Sequence, residues 1–573
     1  MNSRLEVRRE DEAWSLLSDC SFLHDWETLH RHCPWATPFQ TPGFVRTWFS
    51  TYKTIYSPII AFHRSDNKAL NGLLILALSA DDNRLYFAGT HHAEYQVWLE
   101  SDLKLCDFII EAIGTIMATL SDSRLVLRYL PSKSPIKRLQ DSPALNGRIE
   151  INTHTRPLWK ITASDTTDSL RKKSNKSRLN RLKRLGTFEF KRLQDLDSFS
   201  DALDQGIPYY DFQQGATHNS YPFLQDELKK EFHIKLLRNY PELLHITVMT
   251  IDGIAISMHL GVSDDTKVHL GIIAHSPMFA KFSPGKLHLL LLGKLLVDEG
   301  KNLFDLTPGG DQWKERFANA HDRVYELIFY ESRFAKHRAH YLRATIHSLK
   351  NILKVFGIQP RVLRDLASKL ARLRLRNVSQ RLRRELWWSG EYHVYRYSIS
   401  DYQQTSIECD AEIKKDFLPH LLLFKPSESS QSKQEFLQQA KDRLENGNHV
   451  YTCANQDKLL HYGWLIKEHG KTHFKEVDQQ YVYSTKGIVF CDFYTRPEVR
   501  GQRLCQKTLI EMLKDVNNIT GVDYVYTSCF VDNKPYLHAI EKTGFVYYCS
   551  LYSRRVLGRS IRSDSGSYKR KMA

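Results

Sequence analysis

Residues 243–274, "LLHITVMTIDGIAISMHLGVSDDTKVHLGIIA", hold three runs of apolar and β-branched residues separated by turn pairs at Asp252-Gly253 and Asp264-Asp265. Two tight turns in succession make consecutive antiparallel strands, so a wholly parallel, doubly wound sheet is excluded. The apolar helix "GKLHLLLLGKLLVDEG" (285–300) and the strand "NLFDLTP" (302–308) follow at once. Strands covered by helices recur on both sides of this region. Upstream are the strand patterns "PIIAFHR", "ALNGLLILALS" and "NRLYFAG", the amphipathic helix "KLCDFIIEAIGTIMATL" and the strand "SRLVLRYL". Downstream are "LLHYGWLIKE", "GIVFCDFYT", a helix from 501, "DYVYTSCFV" and the helix "NKPYLHAIEKTGF". The expected class is α+β (mixed α/β), in segments 1–150, 151–332, 333–386 and 387–573.

A chain of 573 residues is too long for one core, and its 42% apolar and 12% aromatic content predicts folded units throughout. No apolar run approaches the roughly 20 residues needed to span a bilayer. The longest, "KLHLLLLGKLLV" (286–297), is interrupted by Lys286, His288 and Lys294 and reads as a buried helix. The start "MNSRLEVRREDEAW" has no apolar signal region, and nine cysteines without CxxC or His-spaced pairs suggest neither a disulfide framework nor a metal site. A cytoplasmic protein is expected.

The net charge of +16 is local. Residues 333–386 carry 15 Lys/Arg and 2 Asp/Glu, a balance of +13, so the remainder is nearly neutral. Apolar residues at helical spacing accompany the charge, one patch at Leu349, Ile352, Leu353, Val355 and Phe356, another at Leu366, Leu370, Leu373 and Leu375, with Pro360 between two helices. A solvated linker, an anionic membrane surface and RNA are the three partners such a connector can serve. The run "RKKSNKSRLNRLKRL" (171–185) reads as a solvated helix face.

The strand "GIVFCDFYT" runs through "RPEVRGQRL" into a helix. That order aims backbone N–H groups and the positive helix end at one point, where a pyrophosphate fits, and Gly501 supplies the permissive turn. The stretch resembles motif A of the GNAT acyltransferases, Arg/Gln-x-x-Gly-x-Gly/Ala, which holds the coenzyme A pyrophosphate. Arg500 matches the first position, Arg503 stands at the usual glycine and Cys505 at the small last residue. About 30 residues on, Asn533, Glu541-Lys542, Gly544 and Phe545 resemble the second motif, and the likeness spans 450–556. It implies cofactor binding by Arg500, Gly501, Gln502, Arg503, Leu504, Cys505 and Asn533. Arg503 either obstructs that site or adds a cation beside the phosphates. Ile540 stands where many members carry a tyrosine acid, Gly487 where some carry a glutamate, and Asp492 lies at the opposite strand parity.

"WATPFQTPGFVRTWF" (35–49), "AGTHHAEYQVWL" (88–99), "YYDFQQGATHNSYPF" (209–223) and "FSPGKLHLLLLGKLLVDEGKNLFDLTPGGDQWKERFA" (282–318) resemble, in order, the CelD/BcsL-type acetyltransferases of cellulose and exopolysaccharide clusters. The likeness covers 30–335 and implies paired GNAT-like halves of the Fem plan. Ser283 and Gly285 open an anion-accepting helix. Asp305 ends a strand, and the turn through Gly309-Gly310 presents Asp311, Lys314 and Arg316. A carboxylate there can take an acceptor proton and a cation can steady an oxyanion, which makes Asp305, Asp311 and Lys314 the catalytic candidates. A local ion pair between Asp311 and Lys314 is the alternative. The resemblance places Tyr210, Asp211 and Gln213, with Arg316, at the acceptor cleft, a surface turn being the other reading. Trp98 and Trp313 are core aromatics or sugar platforms.

The expected activity is acyl transfer, acetyl first, from acetyl-coenzyme A to an amino-sugar or sugar-nucleotide precursor of an extracellular polysaccharide, with no metal. An anionic membrane surface or a polysaccharide synthase complex is the partner expected at 333–386; nucleic acid is not. Two other classes stand beside it: a Fem-like transferase using aminoacyl-tRNA, and a non-catalytic scaffold of a polysaccharide synthase.

Overall fold

The computed structural model describes residues 5–101, 107–120, 124–355, 387–403, 407, 409–426, 431–467, 471–474, 479–482, 487–556 and 559–564. The apolar patches expected at 366–375, with Phe356 and Pro360, lie outside the described residues. The class is mixed α/β, as expected. The chain falls into two compact units, Met1–Tyr210 with Pro222–His275 and Phe282–Gly357, and Asp211–Tyr221 with Ser276–Lys281 and Ile358–Ala573.

The first unit holds two sheets. One is antiparallel: β1 (Glu6–Arg9), β2 (Tyr56–Arg64), β3 (Leu70–Ser79) and β4 (Leu85–Phe87) in that order, with β5 (Leu99–Glu100) also on β3. The other has eight strands: β6 (Arg124–Leu130), β7 (Ile149–Lys160), β8 (Phe188–Leu193), β9 (Leu244–Ile251), β10 (Ile254–Ser263), β11 (Lys267–His275), β12 (Leu303–Asp305) and β13 (Ala320–Tyr330). Their spatial order is β6-β13-β7-β12-β11-β10-β9-β8, so strands from both sides of residue 150 share it.

Local chemistry sets the register. Asp252 (φ 48) and Gly253 (φ 78) supply the two positive φ values that a tight β9–β10 turn needs. At the next turn the Asp264 carboxylate accepts from the Thr266 and Lys267 amides at 2.9 and 3.0 Å. In β11 a bulge falls at Gly271, where a Cβ would meet the Leu260 carbonyl oxygen at 2.6 Å.

Helix Pro284–Asp298 is the crossover between β11 and β12, the only parallel neighbours in this sheet among the described residues. Leu289, Leu290, Leu292 and Leu296 pack on Trp159, Val268, Leu270 and Phe304. Each buried leucine contributes about 2 kcal/mol.

The second unit repeats the plan. β14 (Trp387–Ser398), β15 (Lys414–Lys415), β16 (His449–Ala454), β17 (Leu459–Ile466), β20 (Gly487–Thr495), β21 (Tyr524–Phe530), β22 (Val546–Val556) and β23 (Arg559–Asp564) form one sheet, and β18 (Lys471–Phe474) and β19 (Gln479–Val482) pair separately. Here β20 and β21 are the parallel neighbours, joined by helix Leu504–Asn517. Its Leu509, Met512, Leu513 and Val516 pack with Ile488, Phe490 and Val525.

Candidate functional site

In both units the parallel pair starts together and then parts. β11 and β12 are in register from Lys267↔Leu303 to His269↔Asp305, after which β11 runs on to His275 beside β10 without β12. The helix that returns the chain begins at Ser283, a left-handed N-cap (φ 54, ψ 58) whose side chain makes no capping bond, followed by Pro284 at the first helical position. Its leading amides and the positive end of a 15-residue helix are thus uncapped by that side chain. A Cβ at Gly285 would stand 3.1 Å from His275 Nδ1. Cations surround this start. The Lys286 ammonium is lowered by partial burial and by repulsion from Arg178, Lys172 and Arg316. Arg316 acts on Lys286 at the helix start, and the Arg181 guanidinium lies 5.6 Å over the Phe282 ring.

At the end of β12 the fully buried Asp305 is tied on every side. Its Oδ2 accepts from the Tyr95 hydroxyl at 2.7 Å and meets His269 Nδ1 at 3.0 Å and Arg156 at 3.5 Å, while Oδ1 accepts from the Thr307 amide at 2.9 Å. Burial alone would raise this carboxyl; the bonds and charges of His269, Arg156 and Tyr95 prevail and hold it at about 2. Arg156 reaches on to Asp322 and lies 5.6 Å over the Tyr95 ring.

The loop after Asp305 closes around Lys314. Thr307 (φ 58), Gly309 (φ 147) and Gly310 (φ 71) are all left-handed. The buried Lys314 ammonium donates to the Thr307 and Pro308 carbonyl oxygens, both at 3.2 Å, and to Thr307 Oγ1 at 3.3 Å, with Asp311 at 3.5 Å. The local Asp311–Lys314 pair is therefore present, and the donors of Lys314 are spent on its own loop. Trp313 lies 6.0 Å beneath that ammonium, whereas Trp98 is core, bonded to Glu100 Oε2 at 3.0 Å.

Sequence reasoning missed the facing loop. Thr90 to Gln96 is built rigidly: Gln96 donates to the Thr90 carbonyl at 2.8 Å, the Gln96 amide pairs with the Arg128 carbonyl at 2.9 Å, and the Arg128 amide returns to Gln96 Oε1 at 3.1 Å. Arg128 and Tyr129 (φ 53) sit in a bulge of β6 opposite β13. Between these anchors stands Glu94, half-buried and with no hydrogen-bond donor among the described residues. Burial pushes its carboxyl up to about 7, aided by Asp305 and opposed by Lys314 and Arg128. The signal in the sequence was the polar string "HHAEYQ" inside an apolar block.

Tyr210, Asp211 and Gln213 lie within helix Leu196–His218, not on a surface turn. Tyr210 packs on Phe223 at 6.1 Å, Asp211 is buried and Gln213 half-buried. Tyr210 falls in the first unit and the other two in the second.

In the second unit β20 and β21 keep register from Gly487↔Tyr524 to Phe490↔Thr527 and then part over a cleft of 1240 Å³. Arg500, Gly501, Arg503, Leu504, Cys505 and Asn533 line it, and Gln502 does not. Arg503 is a left-handed N-cap (φ 59, ψ 14) with no side-chain capping bond. Arg500 Nε donates to the Thr495 carbonyl at 3.2 Å, and burial pushes the Cys505 thiol up to about 12. A bulge at Asp492 (φ 49) and Phe493 breaks the strand alternation, so Asp492 lines the cleft despite its parity and pairs with Arg443. Ile540 is core; one turn earlier Tyr536 lines the cleft, its oxygen 2.8 Å from Thr527 Oγ1.

Among the described residues, no group of three or more His, Cys, Asp or Glu is placed to hold a metal ion, and no helix is long and apolar enough to cross a membrane.

Residues 169–315, the segment of β8 to β12 and the Pro284 helix, match the family described as acetyltransferase (GNAT) domain. That segment of the chain is thus similar to a GNAT acetyltransferase domain. No curated protein matches the sequence. Similar solved structures include FemX, at 10% identity over 54% of this chain and 96% of that one, TM-score 0.35. A tandem GNAT protein from the clavulanic acid biosynthesis pathway is similar at 11% identity over 57% and 99%, TM-score 0.35. The C-terminal domain of a lysylphosphatidylglycerol synthetase from Agrobacterium fabrum is similar at 12% identity over 56% and 95%, TM-score 0.34.

Proposed function

We propose that the chain transfers an acyl group, acetyl first, from acyl-coenzyme A to the amine or hydroxyl of an amino-sugar or sugar-nucleotide precursor of a cell-surface polysaccharide. The observation that carries this reading is the helix start at Ser283, inside the matched segment, whose leading amides have no side-chain cap and whose Lys286 is lowered by partial burial and by Arg178, Lys172 and Arg316. Such a field suits a phosphate-rich ligand, since a bound anion offsets the repulsion that Arg178, Lys172 and Arg316 exert on Lys286. Ser283 and Gly285 would hold the pyrophosphate through backbone amides. When bound, the cofactor supplies an activated acyl thioester.

The protein's own part is positioning and charge. Asp305, held ionised, fixes Tyr95, His269 and the Thr307 amide, and through Thr307 the loop that encloses Lys314. Asp311 and Lys314 shape that loop edge. The second unit offers a further coenzyme A cleft, with Arg500, Arg503 and Asn533 at its wall. The sugar acceptor rests on the pattern of residues 30–335, and peripheral association with the inner membrane on the basic charge of 333–386.

Calorimetric titration of the full chain with acetyl-coenzyme A tests the proposal. Binding is expected, weakened by salt and by Lys286→Ala with Arg178→Ala; a chain that binds no acetyl-coenzyme A overturns it.

A further inference from the structure

The loop Thr90–Gln96 presents one carboxylate on a backbone that the surrounding bonds hold, and no hydrogen bond reaches its oxygens among the described residues. Tyr95 is tied to Asp305 and Gln96 to Arg128 and Thr90, so the backbone on either side of Glu94 is held. The groups that face it come from three other elements: Arg128 and Tyr129 from the β6 bulge, Asp305 from the end of β12, and Lys314 from the loop after it. Asp305 cannot serve as base, because its oxygens are consumed and it is held at about 2. Asp311 is committed to Lys314. Glu94 stands apart in this group: its backbone is held, its side chain is partly exposed, and no hydrogen bond or ion pair reaches its oxygens among the described residues.

We propose that Glu94 is the general base of the first unit, taking the proton of the acceptor's amine or hydroxyl as that atom attacks the acyl thioester. The new C–N or C–O bond forms as the C–S bond breaks; the proton passes to Glu94 and then to the departing thiolate, so the carboxylate is restored and no further reactant is consumed. Its surroundings suit the task. Burial and the Asp305 charge raise Glu94 to about 7 and so make it a stronger base than an exposed carboxylate. Lys314 and Arg128 oppose that rise, which leaves a substantial ionised fraction near neutrality. The acceptor implied is a neutral nucleophile on a molecule with room for Arg128 to pair with an anionic group. This rests on acyl transfer at the Ser283 helix start.

The test compares the full chain with Glu94→Gln, a change of nearly equal volume. Calorimetry with acetyl-coenzyme A should give the same affinity in both. Thiol release from acetyl-coenzyme A, with glucosamine as probe acceptor, should fall about 100-fold or more. The wild-type rate should rise through pH 7, and the variant should lose that rise. Infrared titration needs no acceptor: one carboxyl band should titrate near pH 7 and be absent from Glu94→Gln. Absence of acetyl-coenzyme A binding by the wild type would sink the acyltransferase reading itself. Binding with unchanged thiol release in Glu94→Gln, or a Glu94 band that titrates below pH 5, would overturn Glu94 as the base.

Discussion

Ser283 and Arg503 occupy the same conformational station, each a left-handed N-cap without a side-chain bond at the start of the helix that joins two parallel strands. Both are residues for which that conformation costs about 1 kcal/mol or more, where glycine would cost little. A strained residue kept at equivalent turns in both units points to a use for the side chain or for the amides it exposes.

Arg503→Gly therefore separates stability from binding. The variant should be more stable by about 1 kcal/mol in denaturant titration. If Arg503 meets a phosphate, coenzyme A affinity at the second-unit cleft should fall about tenfold, with a shallower salt dependence. Tighter binding by the glycine variant would show instead that Arg503 obstructs the cleft.

Asp305→Asn should destabilise the first unit by about 3–5 kcal/mol, because Arg156 loses a counter-charge while staying largely buried and His269 loses its carboxylate partner. Chemical denaturation monitored by tryptophan fluorescence measures this, and a loss under 1 kcal/mol would contradict the pinning role.

Acid should weaken the first unit well before Asp305 protonates. Burial lowers His92, His233, His245, His259 and His288, with His233 and His288 at about 3. Unfolded histidines bind protons near pH 6.5, so this stability is full above that value and is lost as pH falls towards 3. His233 and His288 together should account for a loss on the order of 4 kcal/mol between pH 7.5 and 5. Asp305 runs the same way but only below its unfolded value near 4. Equal denaturation midpoints at pH 7.5 and 5 would refute this.

Helix Arg333–Val355 exposes Phe334, Tyr341 and Leu342 (76%, 70% and 53%), while Lys336 and Arg343 are bonded to Ile149 and Glu150 of β7. Sedimentation with anionic vesicles should be strong at low salt and reduced several-fold by serine at those three positions. Equal partitioning to neutral vesicles would exclude a charge-driven contact.

Elements were legible where one stretch of chain carries its own instruction. The Asp252-Gly253 turn and the apolar helix from residue 284 follow from local residue chemistry. The bulges at Tyr129, Gly271 and Asp492 were not, because a bulge exists only relative to a partner strand, and parity counted along one strand misassigned Asp492. Arg503 was recognised at the glycine position without its left-handed backbone being foreseen. Glu94 escaped notice because its surroundings are assembled by the fold: burial and Asp305 raise it and Arg128 and Lys314 oppose the rise, all from positions remote in the chain.

The Tyr95–Asp305 bond joins residues 210 positions apart in the chain. A centre closed by so distant a contact cannot be assembled by any local folding event, since the loop-closure entropy is recovered only after both sheets exist. Recovery of catalysis during refolding should consequently trail the recovery of helical signal, and truncation anywhere before β12 removes the centre even where the antiparallel strands survive.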